Sequence, residues 1–156
     1  DSSTSRGLGD VYKRQIRYLG FSIGFTNGCF DILHRGHTTY LDNAKESVDF
    51  LFIGVNDDSS VKKLKGPNRP INNIKDRMEM LRRITLDDAF IIKFSEPTPI
   101  KLIKEIKPNI LMKGGDYKIN QIIGSDYIKK NNGSVKIIPF VKGYSTTNII
   151  TKKDKS

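Results

Sequence analysis

The chain has 156 residues, 37% of them hydrophobic and 28% charged, a composition typical of a globular domain. It has no apolar run near the roughly 20 residues of a membrane span, and its single cysteine excludes an internal disulfide, so we expect a cytoplasmic protein with no membrane partner. The net charge is +10, but the lysines are scattered, so we expect a lysine-coated surface that attracts anionic small molecules, not nucleic acid.

The first 15 residues differ in character from the rest. They are rich in serine and glycine, have no periodic apolar face, and lack the apolar segment of a signal peptide. We expect residues 1–15 to be a disordered or non-native tail and residues 16–156 to form one domain.

Beyond this tail, apolar runs of strand length alternate with segments of helical periodicity. The predicted strands cover 21–25, 49–56, 89–94, 109–112 and 135–140. The predicted helices cover 38–48, a short segment ending at 65, a segment ending at 84 and capped by Asn72 or Asn73, 98–106 with Pro99 in first position, 121–130, and a last segment from 143. This alternation predicts an α/β fold, a Rossmann-like, doubly wound, five-stranded parallel sheet that binds ligands beyond the carboxyl ends of its strands.

Residues 23–41 join the first strand to the first helix and contain both histidines of the chain. The strand breaks at Asn27–Gly28, a turn dipeptide, and His34-Arg35-Gly36-His37 precedes the helix. The first turn of a helix has unpaired N–H groups and the positive end of the helix dipole, so it attracts phosphate. Two imidazoles there could stabilise the charge that develops when the α-phosphate of a nucleotide is attacked.

Two other interpretations of the histidines remain. Histidines three residues apart also arise by chance, and short motifs are only hypotheses. A structural zinc site normally has four ligands with thiolates among them, whereas Cys29 is the only cysteine. The position after a strand and turn and before a helix favours the phosphate site.

Further polar groups follow the other predicted strands, and each has an ordinary alternative. Lys63, Lys65 and Arg69 could clamp a polyphosphate or be surface charges, and Arg77 could instead be a solvated charge on its helix. Gly-Gly-Asp at 114–116 is also a common turn sequence, and Ser-Thr-Thr at 145–147 could also be an ordinary helix N-cap. All of these segments are expected at one edge of the sheet, and this shared position favours a common binding site over the ordinary alternatives. The chain has no Walker loop, no G-x-G-x-x-G and no G-x-S-x-G motif.

Three segments together resemble the cytidylyltransferase-like nucleotidyltransferase superfamily, and within it the branch of heptose 1-phosphate adenylyltransferases. They are Thr26-Asn27-Gly28-Cys29-Phe30-Asp31-Ile32-Leu33-His34-Arg35-Gly36-His37, Lys113-Gly114-Gly115-Asp116-Tyr117, and Ser145-Thr146-Thr147-Asn148-Ile149-Ile150. The resemblance covers residues 22–152 in the same motif order. It implies transfer of AMP from ATP to D-glycero-β-D-manno-heptose 1-phosphate, giving ADP-heptose and pyrophosphate for lipopolysaccharide core synthesis.

The resemblance also implies roles for individual residues. His34 and His37 would stabilise the transferring phosphoryl group, and Lys65 would contact a phosphate. The implied nucleotide-binding residues are Thr26, Asn27, Gly28, Cys29, Phe30, Gly36, Arg77, Ser145, Thr146 and Thr147. The expected substrate-binding residues are Asn56, Asp57, Lys113, Asp116 and Tyr117. No protein-built metal site is expected, because Mg²⁺ would arrive with ATP.

Two departures from the cytidylyl relatives favour the heptose branch. The segment Phe140-Val141-Lys142-Gly143-Tyr144-Ser145 stands where those relatives have Arg-Thr-x-Gly-Ile-Ser, and Gly115 stands where they usually have an acidic residue. The alternative function is a cytidylyltransferase that joins CTP to a polyol phosphate such as glycerol 3-phosphate. A homodimer, and a fusion to or pairing with a sugar kinase domain, are further expectations from the resemblance.

Overall fold

A computed structural model describes residues 19–115 and 118–139. Its strands are β1 (Ile23–Gly28), β2 (Phe50–Asn56), β3 (Phe90–Phe94), β4 (Ile110–Gly114) and β5 (Ser134–Ile138). Its α-helices are α1 (Arg35–Glu46), α2 (Asp58–Lys65), α3 (Ile74–Ile84), α4 (Ile100–Ile106) and α5 (Ser125–Lys130), and a 3₁₀ turn covers Ile119–Gln121. Within the described ranges, no helix has the length and apolarity that crossing a membrane requires.

The five strands form one parallel sheet in the order β3-β2-β1-β4-β5. The chain builds outward from β1 to β3 and then returns to place β4 on the other side of β1. The gap between the carboxyl ends of β1 and β4 is therefore the topological switch point, where sheets of this kind bind ligands.

Alternating side chains of the strands fill two cores, one on each face of the sheet. Phe52 packs with Leu102 and Ile103 of α4 on one face. Its neighbours Leu51 and Ile53 pack on the other face, where Tyr40, Leu41 and Ala44 of α1 and Leu81 of α3 complete the core. Helices cover both faces of an all-parallel five-stranded sheet, which confirms the predicted fold class.

Several element boundaries differ from the prediction. β1 continues to Gly28 because Thr26, Asn27 and Gly28 still pair with β2, and β4 continues to Gly114 because it pairs with Ile138. α4 begins at Ile100 with Pro99 as its N-cap residue. α5 begins only at Ser125, since Gly124 is left-handed (φ 93°). Asn73 caps α3, as predicted, by accepting a hydrogen bond from the N–H of Asp76.

Candidate active site

The two histidines lie at the start of α1, at the carboxyl edge of the sheet. His34 is the N-cap residue, and its Nδ1 accepts a hydrogen bond from the N–H of Gly36 at 3.1 Å. The Nδ1 of His37 accepts one from the N–H of His34 at 3.3 Å. The ring centroids are 3.9 Å apart. The pair thus forms a reciprocal capping box built from imidazoles, and α1 begins at Arg35, three residues earlier than predicted.

Both imidazoles are neutral near pH 7. Burial, together with the neighbouring His34, lowers the pKa of His37 to about 4. Burial also lowers the pKa of His34. A neutral imidazole carries one ring proton, and because each Nδ1 accepts a hydrogen bond, that proton lies on Nε2 in both rings. Each ring is therefore an Nε2–H donor of the kind that binds phosphate oxygens.

The expectation of unpaired backbone N–H groups in the first turn of α1 is wrong for three of them. The N–H of Gly36 donates to the His34 imidazole. The N–H of His37 donates to the carbonyl oxygen of His34 at 2.9 Å, and the N–H of His34 donates to the His37 imidazole at 3.3 Å. The cap uses these donors, so an anion here would interact with imidazole N–H groups and the helix dipole.

Arg77 is buried, with a side-chain exposure of 1%, so the alternative of a solvated charge is wrong. Its Nη1 donates to the carbonyl oxygens of Cys29 at 2.7 Å and Asn56 at 2.6 Å, and its Nε donates to that of Asn72 at 2.9 Å. Its Nη2 pairs with the carboxylate of Asp58 at 2.7 Å. One guanidinium therefore joins the ends of β1 and β2 to the segment before α3. A direct nucleotide contact of Arg77 stays a prediction.

Asp31 connects the same segment to the β1–α1 loop. Its buried carboxylate accepts hydrogen bonds from Nε of Arg69 at 2.6 Å and from the N–H groups of Ile71 and Asn72, each at 2.8 Å. Burial alone would raise the pKa of Asp31, but the backbone N–H groups of Asn72 and Ile71 and the Arg69 guanidinium outweigh it and lower that pKa. Arg69, considered above as a phosphate clamp, is paired with this carboxylate.

A cavity of about 200 Å³ lies at the switch point between β1 and β4. It is lined by Asn27, Pro99, Lys113, Gln121, Ile122 and Ile123. Burial lowers the pKa of Lys113, and Lys65 adds to that lowering. Burial raises the pKa of the Cys29 thiol, although the charge of Lys65 opposes it. Lys65, exposed at the end of α2, is thus close enough to act electrostatically on both groups.

The predicted residues Thr26, Asn56 and Asp57 have partners inside the protein. The hydroxyl of Thr26 is buried against that of Tyr40. Asn56 donates from its side-chain amide to Ser60 at 2.9 Å. Asp57 is the N-cap of α2 and accepts from the N–H of Ser60 at 2.9 Å. All three lie near the carboxyl edge, and their predicted ligand contacts stay predictions.

Part of the predicted site falls outside the described residues: Asp116, Tyr117, Ser145, Thr146, Thr147 and the last predicted helix. Among residues 19–115 and 118–139, no three His, Cys, Asp or Glu side chains cluster in a way that could bind a metal ion. In that part of the chain the residues do not form a cage for Mg²⁺.

Sequence reasoning missed the structural roles of Asp31 and Phe30. An acidic residue within the apolar run Phe30-Asp31-Ile32-Leu33 was an available signal, because a buried carboxylate needs several donors. Phe30 has a φ of 51°, which no sequence pattern around a bulky residue indicates.

A family model described as cytidylyltransferase-like matches residues 25–152. The chain belongs to this family. The match spans the histidine pair, the switch-point cavity and the segment that contains Ser145, and it confirms the resemblance found in the sequence.

Relatives within this family include two curated proteins named bifunctional protein HldE. The one from Pseudomonas fluorescens (strain Pf0-1) is 50% identical over 134 residues, which is 86% of this chain and 28% of that protein. The one from Haemophilus influenzae (strain PittEE) is 50% identical over 138 residues, which is 88% of this chain and 29% of that protein. The chain therefore spans less than a third of the length of these relatives.

A solved structure with the same fold is described as the lipopolysaccharide core biosynthesis protein from Thermoplasma volcanium GSS1. Its TM-score is 0.63 at 30% sequence identity, and the alignment covers 81% of this chain and all of that one.

Proposed function

We propose that this chain is an adenylyltransferase that transfers AMP from ATP to D-glycero-β-D-manno-heptose 1-phosphate. The products are ADP-heptose, for the lipopolysaccharide core, and pyrophosphate. Membership of the cytidylyltransferase-like family supports nucleotidyl transfer. The relatives named HldE, and a structural neighbour described as a lipopolysaccharide core biosynthesis protein, support the heptose substrate over a polyol phosphate.

The observation that carries the proposal is the pair of neutral imidazoles, 3.9 Å apart, whose Nδ1 atoms both accept backbone hydrogen bonds. This arrangement fixes the protons on Nε2 without any substrate present. Donors that are oriented in advance stabilise developing charge without reorganising during the reaction. Phosphoryl transfer needs positioning and charge stabilisation more than covalent chemistry. The thiol of Cys29 has a raised pKa and is therefore a weak nucleophile, which agrees with a reaction that uses no covalent enzyme intermediate.

In the proposed reaction, a phosphate oxygen of heptose 1-phosphate attacks the α-phosphorus of ATP in line. The new P–O bond forms as the bond from the α-phosphorus to the bridging oxygen breaks, and pyrophosphate leaves with that electron pair. His34 and His37 donate Nε2–H hydrogen bonds to the oxygens of the transferring group and keep their protons. No covalent enzyme intermediate forms.

The remaining predicted residues surround this centre in the proposal. The backbone of residues 26–30 lies along the nucleotide, and the cavity beside Asn27 and Lys113 takes part of it. Lys65 reaches a phosphate from the end of α2. Ser145 and Thr146 bind the β- and γ-phosphates, and Thr147 contributes to the nucleotide site. The residues that face the sugar phosphate are Asn56, Asp57, Lys113, Asp116 and Tyr117.

Mg²⁺ enters the proposal as part of its ATP substrate, bound through phosphate oxygens and water. It would neutralise charge on the triphosphate, and the steps assigned to protein residues do not depend on a protein cage for it. The word bifunctional in the names of the relatives, and their greater length, support pairing of this domain with a second one, for which a sugar kinase is our proposal. A homodimer is proposed on the family resemblance.

The test is pyrophosphate release from a panel of nucleoside triphosphates and acceptor phosphates. We expect release with ATP and heptose 1-phosphate, and little with CTP and glycerol 3-phosphate. His37→Ala should lower the rate at least about 100-fold, the effect of removing one transition-state donor. His37→Gln, which keeps an N–H donor, should retain more activity than His37→Ala. The proposal would be rejected if pyrophosphate were released with CTP but not with ATP, or if His37→Ala kept full activity.

A further inference from the structure

Phe30 has an unusual backbone conformation beside the histidine pair. Its φ of 51° lies in the left-handed region, which is uncommon for a bulky residue, and only 6% of the residue is exposed. Such conformations persist only where the surroundings impose them, and they cluster at functional sites.

The residues on both sides of Phe30 are fixed by hydrogen bonds. The carbonyl oxygen of Cys29 accepts from Nη1 of Arg77 at 2.7 Å. The carbonyl oxygen of Asp31 accepts from the side-chain amide of Asn72 at 2.5 Å, and the Asp31 carboxylate has the three donors described above. These contacts supply the constraint that the left-handed turn needs.

The turn places the Phe30 ring between Gly28 and His37. The ring is edge-on to the His37 imidazole, with centroids 5.8 Å apart and planes at 62°. A Cβ on Gly28 would lie 3.1 Å from Cε2 and 3.2 Å from Cζ of Phe30, so the glycine leaves the ring just enough room. His37 therefore has His34 and Phe30 as ring neighbours.

We propose that Phe30 is a positioning residue for His37: the clamped left-handed turn presses its ring against the imidazole and sets the direction of the Nε2–H donor. The proposal rests on the function proposed above for His37. The segment 69–72 then also affects the position of the imidazole, because it hydrogen-bonds to Asp31 and Arg77, and these two residues hold the backbone on either side of Phe30. The Phe30 ring itself needs no contact with substrate for this role.

The test combines a structural readout with kinetics. Because the chain has only two histidines, their imidazole signals can be followed individually by NMR during a pH titration. Phe30→Leu removes the ring, so water should reach the imidazole and the pKa of His37 should rise from about 4 toward 6.5. We expect kcat for pyrophosphate release to fall about 10- to 100-fold with little change in KM for ATP, as expected for a misplaced transition-state donor.

A matched control is Phe52→Leu, which truncates another buried phenylalanine, in the core on the other face of the sheet. It should leave the titration of His37 and the value of kcat close to those of the unmodified protein. If Phe30→Leu does not fold, Gly28→Ala tests the same contact, because its added methyl would push the ring.

An unchanged titration of His37 in the variant, or a kcat within twofold of the unmodified protein, overturns the proposal. If the unmodified protein releases no pyrophosphate with any substrate pair, the proposed function fails. The NMR titration would then still decide whether Phe30 controls the environment of His37.

Discussion

Replacing Arg77 by methionine should destabilise the fold far more than the same change at an exposed arginine of α3. Methionine reproduces the arginine side chain only as far as Nε and has no donor, so three carbonyl oxygens, those of Cys29, Asn56 and Asn72, lose their partner. At about 1–1.5 kcal/mol for each such acceptor, the loss is about 3–4.5 kcal/mol. The pairing with Asp58 adds little to this sum, because 45% of the Asp58 side chain is exposed and water can solvate the carboxylate.

Urea unfolding followed by circular dichroism measures this loss directly. The matched control is Arg83→Met on the same helix, where the side chain is 73% exposed and forms only a surface pair with Glu79, so we expect a change of less than about 0.5 kcal/mol. Arg77→Lys should lie between the two, because one ammonium cannot reach all the acceptors of a guanidinium fork. Equal stabilities of Arg77→Met and Arg83→Met would refute the structural role of Arg77. A raised KM for ATP at unchanged stability would instead indicate a direct nucleotide contact.

Two further predictions concern ionisable groups. The folded-state pKa of His37, about 4, is below its ordinary value of 6.5, so the unfolded chain binds a proton first as the pH falls. The free energy of unfolding, measured by urea titrations at a series of pH values, should therefore drop by up to about 3 kcal/mol between pH 6.5 and pH 4. In His37→Gln this free energy should depend much less on pH over the same range. A slope that persists in that variant would assign the effect to other groups. Asp31→Asn should cost about 2 kcal/mol at pH 7, against almost nothing for the exposed control Asp42→Asn. Because the pKa of Asp31 is lowered in the fold, its contribution exists above the ordinary carboxyl pKa and disappears as the pH falls through the lowered one, so wild type and variant should converge in acid. A constant difference down to the lowest pH would contradict that account.

The sheet and its helices were predictable because their signals are periodic. Continuous apolar runs such as residues 50–55 are typical of strands covered on both faces, and Asn73 before an apolar periodic segment is an ordinary helix start. The predicted start of α1 lies three residues later than the observed one, because histidine is not a usual N-cap residue. The sequence shows which groups meet at the carboxyl edge, but not which of their donors are already used inside the protein.

Arg77 illustrates that limit most clearly. Arg77 lies three residues after Ile74 and four before Leu81, on the inward face of α3, but an arginine at such a position can either bury its guanidinium or extend it to solvent. Its burial depends on three carbonyl oxygens that lie 5, 21 and 48 residues away in the chain and meet only after the sheet forms. The left-handed Phe30 has a similar origin, since long-range bonds to its neighbours fix its backbone.

The imidazole capping box connects the fold of α1 to the chemistry proposed for it. A protonated Nδ1 is a donor and would face another donor, the backbone N–H that it now accepts from, so protonation of either ring breaks the cap. The cap therefore favours the neutral rings in the same direction as burial does, and the hydrogen bonds of the cap also fix the tautomer with the proton on Nε2. A pair of charged imidazoles would bind the phosphates of the ground state tightly, whereas neutral donors gain most as charge builds up on the transferring group. In a chain with a net charge of +10, lysines can supply the attraction for the anionic substrates, which leaves the histidines free to act on the transition state.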